Sequence, residues 1–225
     1  MIKDSVSPVK RTKAQARANY NRLSRWYDRL AGSSEAKYRR MGEQTLHLQP
    51  GERLLEIGFG TGQALVSLAE AVGAHGRVCG LDLSDGMAAV ARQRLSQADL
   101  TERTDLTLGD AAQAPFAEAS FDAVFMSFTL ELFDTPEILI VLHQCMRMLR
   151  PLGRLVIVTL VKTQKPNFAE RIYEWFHERM PVAVDCRPIP AQTTIQAAGF
   201  EITAVTAKKM WGLPVEIIMA EKISQ

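Results

Sequence analysis

The stretch Leu54–Ala69, LLEIGFGTGQALVSLA, runs from apolar residues through one carboxylate, Glu56, and three glycines at every second position, Gly58, Gly60 and Gly62, into an amphipathic segment. A strand that ends in a glycine-rich turn and passes into a helix often cradles a nucleotide cofactor, because glycine lets the backbone approach a ligand closely and take left-handed angles. The dinucleotide fingerprint G-x-G-x-x-G needs its third glycine where this chain has Gln63. A carboxylate beside the turn suits a cationic ligand better than a pyrophosphate, which it would repel. Both features weigh against a nicotinamide-dependent oxidoreductase.

Outward from this turn, short apolar runs alternate with longer helical patterns, which predicts stacked strand–helix units on a parallel sheet. The expected strands are Arg53–Ile57, Arg77–Leu81, Asp105–Leu108, Phe121–Ser127 and Arg154–Val161. Helices are expected over Thr61–Val72, from Ser84 as cap to about Ser96, over Thr135–Leu149, and over Ala191–Ala198. The last apolar stretches, Glu201–Ala207 and Val215–Ala220, lie close enough to pair antiparallel. Residues 12 to 47 read as two helices separated near Gly32-Ser33-Ser34, and an aromatic-rich segment, RIYEWFHERM, interrupts the rhythm between Pro166 and Pro181. The fold class is therefore α/β: a doubly wound, Rossmann-like sheet, mostly parallel with an antiparallel last strand, plus a helical N-terminal arm.

With 225 residues, 47% of them hydrophobic and 23% charged, the chain has the length for one sizeable core. Its longest apolar runs fall far short of the ~20 residues that span a bilayer. The first twenty residues are polar and basic, without the apolar core of a secretory signal, so a cytoplasmic location is expected. Three widely spaced cysteines, Cys79, Cys145 and Cys186, lack paired metal-ligand spacing and read as reduced and structural; no metal site is expected. The net charge of +2 hides an asymmetry: residues 1 to 40 hold eleven Lys or Arg against three Asp or Glu. Such an arm can approach an anionic membrane surface, giving peripheral association, although a basic face on a terminal helix is also a common solvated surface.

The pattern EIGFGTG, Glu56–Gly62, resembles the first motif of the class I S-adenosylmethionine-dependent methyltransferases. The resemblance implies that Glu56, Gly58, Phe59, Gly60 and Gly62 form the cofactor turn and that S-adenosyl-L-homocysteine is the product. It places an acidic residue for the ribose hydroxyls at Asp82, twenty-four residues after Gly58, with Leu83 and Met87 packing on adenine. Asp110 and Ala111 match the adenine-reading element, in which a carboxylate accepts from the exocyclic amine and the next backbone N–H serves a ring nitrogen. Ser127 and Phe128 match positions along the methionine part. LRPLGRLVI, Leu149–Ile157, is similar to the family's L-x-P-G-G-x-L signature, with Leu152 replacing the first glycine in a turn remote from the ligand.

The chain is most similar to the ubiquinone and menaquinone C-methyltransferase group, which also holds phospholipid N-methyltransferases. YNRLSRWYD, Tyr20–Asp28, looks like that group's N-terminal segment, whose aromatic residues, here Tyr20 above all, close over the cofactor. A single methyltransferase domain, 1–225, is expected, with a helical arm (1–50), a cofactor-binding half (51–161), an acceptor-pocket insertion (162–190) and a C-terminal helix and strand pair (191–225). The acceptor it implies is small and lipophilic, a quinone precursor, or alternatively phosphatidylethanolamine. Methyl transfer from a sulfonium is an in-line displacement governed by proximity and water exclusion, so no universal catalytic residue is required. Candidates for a base or an acceptor-orienting group are Tyr20, Tyr27, Glu131 and His177. Tyr20 and Tyr27 also fit plain helix packing, and His177, beside Tyr173, Trp175 and Phe176, fits a packing role. Two rivals remain open, a dehydrogenase and a cofactor-binding protein without turnover. A nucleic-acid methyltransferase is disfavoured, because no Asn-Pro-Pro-Tyr-like element follows Ser127.

Overall fold

A computed structural model describes residues 9, 11–24, 26–30, 32–163, 170–173, 179 and 186–223. Seven strands form one sheet: β1 Arg53–Ile57, β2 Arg77–Asp82, β3 Thr104–Leu108, β4 Phe121–Ser127, β5 Leu149–Leu160, β6 Phe200–Met210 and β7 Leu213–Lys222. Their order is β3-β2-β1-β4-β5-β7-β6. The first five run parallel, and β7 pairs antiparallel with both β5 and β6. The arm holds α1 Lys13–Leu23, α2 Tyr27–Leu30 and α3 Gly32–Thr45; the crossovers are α4 Gln63–Ala71, α5 Asp85–Gln97, α6 Thr135–Met148 and α7 Ala191–Ala197.

Both faces of the sheet are covered, which is why its central strands are apolar along their length rather than alternating. Leu55 and Ile57 of β1 and Val124 and Met126 of β4 pack on one layer with Ile138, Val141 and Leu142 of α6 and Ile195 of α7. Their sequence neighbours Leu54, Ala123 and Phe125 pack on the other layer with Leu65 and Leu68 of α4, Ala88 and Ala91 of α5, and Tyr38 of α3. Period-two alternation thus divides one run of apolar residues between two cores. Cys79 and Cys145 are buried in the first layer. Among the described residues, no helix is long and apolar enough to cross a membrane.

Three expectations are corrected. The arm holds three helices rather than two: the expected separation falls between Leu30 and Gly32, which opens α3, and a further one lies between Leu23 and Tyr27. A Gly-Ser-Ser run serves the first turn of a helix as well as it serves a linker. The helix before β5 ends at Met148, and the strand begins at Leu149 because that residue pairs with Phe121 across the sheet. Helix α4 starts at Gln63 rather than Thr61, with left-handed Gly62 as its N-cap. The segment RIYEWFHERM falls mostly outside the described residues, though residues 170–173 are helical.

Candidate active site at the carboxyl end of the sheet

The ends of β1 to β4 open into one cavity of about 400 Å³, in the size range of small-molecule sites. Ligands in open α/β sheets bind outside the carboxyl ends of the strands, where crossovers to opposite faces leave a crevice. Gly58, Gly60 and Gly62 all have left-handed φ, at 74°, 51° and 78°. Gly58 donates to the Leu81 carbonyl at 2.7 Å and Gly62 to the Phe59 carbonyl at 2.9 Å, so the turn is closed on itself and on β2. Gly60 N–H donates to Asp82 Oδ2 at 2.9 Å, and Ser84 N–H to Asp82 Oδ1 at 2.8 Å. Burial nevertheless outweighs these amide donors and leaves the Asp82 carboxyl above its ordinary pKa.

Glu56 lines the cavity, 3% exposed, and its Oε2 is buried without a hydrogen-bond partner. Burial, with Glu43 and Asp82 nearby, holds its carboxyl well above the usual range, against the pull of Arg39. A buried acceptor left unsatisfied costs about 1–3 kcal/mol, so one in the wall of a cavity marks a place where a donor belongs.

Helix α1 and the chain after it lie over this cavity. Lys13 Nζ bonds Asp110 and Glu137 together; burial works against its ammonium, but the two carboxylates prevail and raise its pKa. Asp110 Oδ1 also accepts from Ala112 N–H at 3.0 Å. Asn21 Oδ1 accepts from Ser84 Oγ at 2.6 Å and from Gly86 N–H at 2.9 Å, while Arg17 and Asn21 both donate to Asp85. These two donors, Asn21 first, bring the Asp85 carboxyl down to about 2. Asp28 accepts from Thr61 Oγ1 and Gln63 Nε2, both at 2.6 Å, and pairs with Arg94. Burial opposes its ionisation, and the donors, Thr61 first, more than offset it, so its pKa is lowered. Arm cations Lys13, Arg17 and Arg39 are therefore already paired with carboxylates. The Arg39 pair lies within α3, whereas the pairs of Lys13 and Arg17 join α1 to the body and so set the arm's position.

Of the residues singled out in the sequence, Tyr20, Tyr27, Glu56, Gly58, Phe59, Gly60, Asp82, Leu83, Met87, Asp110, Ala111 and Ser127 all line this one cavity. The Tyr20 and Tyr27 rings meet edge to face at 6.3 Å, and the Arg11 guanidinium sits 5.4 Å from the Tyr20 centroid. Gly62 is not in the wall; it packs behind the turn, where a Cβ would come within 2.8 Å of Ala91 Cβ. Glu131 also lies behind the wall, fully buried, accepting from Thr159 Oγ1 at 2.8 Å and Leu160 N–H at 3.3 Å. Its carboxyl is pushed up to about 8 by burial. His177 lies outside the described residues. Lys13, Glu35, Arg39, Leu132 and Phe133 line the cavity too, and sequence reasoning missed them. For Lys13 the available signal was the excess of positive charge in residues 1 to 40 facing an acidic body.

Comparison with known proteins shows the family. Residues 54–153 match a methyltransferase-domain family model. A demethylmenaquinone methyltransferase of Listeria monocytogenes serotype 4a is 30% identical over 167 residues, covering 72% of this chain and 69% of the relative. The chain belongs to the class I S-adenosylmethionine-dependent methyltransferases. Within them this methyltransferase falls in the group of the ubiquinone and menaquinone C-methyltransferases, and S-adenosylmethionine is its cofactor. Its fold is shared with a SAM-dependent methyltransferase from Aquifex aeolicus, at TM-score 0.63 and 19% identity over 95% of this chain and 100% of that one. The cyclase SpnF has the same fold at TM-score 0.78 and 19% identity, covering 98% of this chain and 100% of its own.

Proposed function

We propose that this methyltransferase methylates a small lipophilic quinone precursor, with the cofactor held along the ends of β1 to β4 and the acceptor beneath the N-terminal arm. The observation that carries the proposal is a single cavity in which an unsatisfied buried carboxylate, Glu56, shares walls with apolar and aromatic side chains from the arm and from the segment after β4. The name of the Listeria relative, a demethylmenaquinone methyltransferase, supports the acceptor class. A phospholipid acceptor gains no such support from that relative.

The residues present fit S-adenosylmethionine. Glu56 and Asp82 provide acceptors for an ammonium and for ribose hydroxyls, and the open space at Gly60, with no atom within 4 Å of a built Cβ, admits a ligand against the backbone. Leu83 and Met87 offer apolar surface for adenine, Asp110 an acceptor for its amine and Ala111 N–H a donor to its ring. Phe59 and Ser127 flank the methionine part, and Gly62 fixes the turn from behind. When bound, the cofactor supplies an electrophilic methyl group on a sulfonium. The chain's own contribution is to hold donor and acceptor in line and to keep water out, for which Tyr20 and Tyr27 of the arm are the acceptor-orienting candidates. In this reading residues 1–50 act as a cover, 51–161 as the cofactor half, 162–190 as part of the acceptor chamber and 191–225 as the closing edge of the sheet.

The test is transfer of isotopically labelled methyl from S-adenosylmethionine into a mixture of demethylated quinones and phosphatidylethanolamine. Label in the quinone is expected. Label in the phospholipid alone, or cofactor binding without transfer to either, overturns the proposal.

A further inference from the structure

The hairpin joining β6 to β7 carries a feature that cofactor binding does not explain. Its two-residue loop is Trp211-Gly212, with φ of 52° and 85° between the paired residues Met210 and Leu213. Two successive left-handed residues make the type I′ turn, which favours Asn-Gly or Gly-Gly and disfavours bulky side chains at the first position. The chain nevertheless places its largest side chain there and leaves it 72% exposed. Neither local backbone preference nor core packing accounts for that choice.

The tip is held firmly. Met210 and Leu213 on either side are buried at 6% and 4%, and Tyr38 of α3 donates from its hydroxyl to the Lys209 carbonyl at 2.7 Å. Lys208 and Lys209 lead into the turn and are exposed. The nearest acidic residue within the hairpin, Glu216, accepts from Gln192 Nε2 at 2.9 Å. Because Leu160 at the carboxyl end of β5 pairs with Val215, the tip projects past the same end of the sheet as the cofactor cavity. Its two strands, β7 and β6, lie two and three strand spacings from β4, roughly 10–15 Å.

We propose that this hairpin tip docks the protein on an anionic lipid bilayer, with Trp211 at the headgroup level and Lys208 and Lys209 facing the phosphates. Tryptophan favours that interface because one part of its ring system is apolar and another donates a hydrogen bond, and lysines beside it add attraction to anionic lipid. A single hairpin tip is far too small for a stable contact between proteins, which needs roughly 1,200–2,000 Å², whereas an aromatic residue with adjacent cations adds up to a weak, reversible membrane contact. Lys13 and Arg17 of α1 are engaged with the body's carboxylates, which reduces that helix's attraction to anionic lipid and favours the hairpin. Docked this way, the cavity end of the sheet faces the bilayer, so a lipophilic acceptor reaches it without crossing water. That consequence rests on the acceptor reading above; the docking itself does not.

The test is co-sedimentation of the full chain with vesicles of equal parts phosphatidylglycerol and phosphatidylcholine at low salt, with no methyl acceptor present. Wild-type protein is expected to be retained on these vesicles and released by salt or by omission of phosphatidylglycerol. Trp211→Asn builds the preferred Asn-Gly turn, so its melting temperature should stay level or rise while its partition coefficient falls about tenfold. Lys208→Gln and Lys209→Gln should each lower it about fivefold. Wild-type protein that stays in solution, or a Trp211→Asn variant retained like wild type, overturns the proposal. So does a concentration-dependent dimer that Trp211→Asn dissociates while vesicle retention is unchanged, since the partner would then be a second copy. None of these results bears on which acceptor is methylated.

Discussion

Gly60 and Leu152 have nearly the same left-handed φ, 51° and 61°, at opposite ends of the sheet. Neither is forced by crowding: no heavy atom lies within 4 Å of a Cβ built on Gly60, and Leu152 is 71% exposed. One position is glycine, and the other tolerates leucine. What differs is the space that the side chain would fill. At Gly60 it is the cavity, whereas at Leu152, in the turn that leads into the body of β5, it is solvent. The left-handed conformation costs an L-residue roughly 1–2 kcal/mol at either end, but only at the cavity would the side chain also displace a ligand.

The largest effect should come from filling that space. Gly60→Leu is expected to lower affinity for S-adenosylhomocysteine by at least about a hundredfold, while reducing stability by only about 1–2 kcal/mol. Calorimetric titration and a denaturant melt of the same sample measure the two. Normal affinity in a folded Gly60→Leu protein would refute the assignment of this turn to the cofactor. Gly58→Ala should behave differently, because its Cβ would meet the Thr129 side chain at 2.4 Å and the loss would appear in stability first.

Two buried carboxylates extend the contrast between wall and backing. Glu56 has an oxygen without a partner in the cavity, whereas Glu131 bonds to Thr159 and Leu160 behind it. Glu56→Gln should weaken cofactor binding by about tenfold or more, with stability level or increased, because a buried carboxylate is replaced by a neutral group of the same shape. Glu131→Gln should change affinity less than about twofold. A matching loss of affinity in both variants would mean that Glu131 also reaches the ligand.

The same pair, together with Asp82, sets a pH dependence. Folding raises the Glu131 pKa from 4.5 to about 8, and raises that of Glu56 as well, so between those values the folded chain holds protons that the unfolded chain releases. Their contribution to stability is therefore fully present below the unfolded pKa and is lost as pH rises through the folded one. Asp28 and Asp85 are shifted down instead, so their contribution is lost only as pH falls below the ordinary carboxylate range, outside that window. Urea midpoints should fall between about pH 5 and about pH 8, and Glu131→Gln should flatten the decline. An unchanged slope in that variant would assign the titration elsewhere, Glu56 first.

What was legible in the sequence follows the same division. Strands β1 and β4 have the bounds that their apolar runs suggest, and Asp82, Asp110 and Ser127 stand at strand ends because a parallel sheet puts its polar residues there. Left-handed glycines were also legible as a group, but not which of them touch the cavity, since Gly60 and Gly62 differ only in what the fold packs against them. The side on which Glu131 lies was hidden for a similar reason: a short turn after β4 rotates it from the opening toward Thr159. The clasp of Lys13 on Asp110 and Glu137 joins residues about a hundred positions apart, and no local pattern encodes such a pair. Local periodicity reports which residues are buried, and tertiary contacts decide what they are buried against.

The smallest predicted effect isolates the backbone term. Leu152→Gly removes left-handed strain of roughly 1–2 kcal/mol and adds chain freedom to the unfolded state worth about 0.5–1 kcal/mol, for a net gain of about 0.5–1 kcal/mol. Cofactor affinity should not change, because the turn lies at the amino end of the sheet. Leu152→Ala keeps the strain and removes only the exposed side chain, so it should gain nothing. If alanine stabilises as much as glycine, exposure of the leucine rather than its φ limits stability there. The reason for glycine at Gly60 would then rest entirely on the space its side chain would take from the ligand, and not on the angle its backbone adopts.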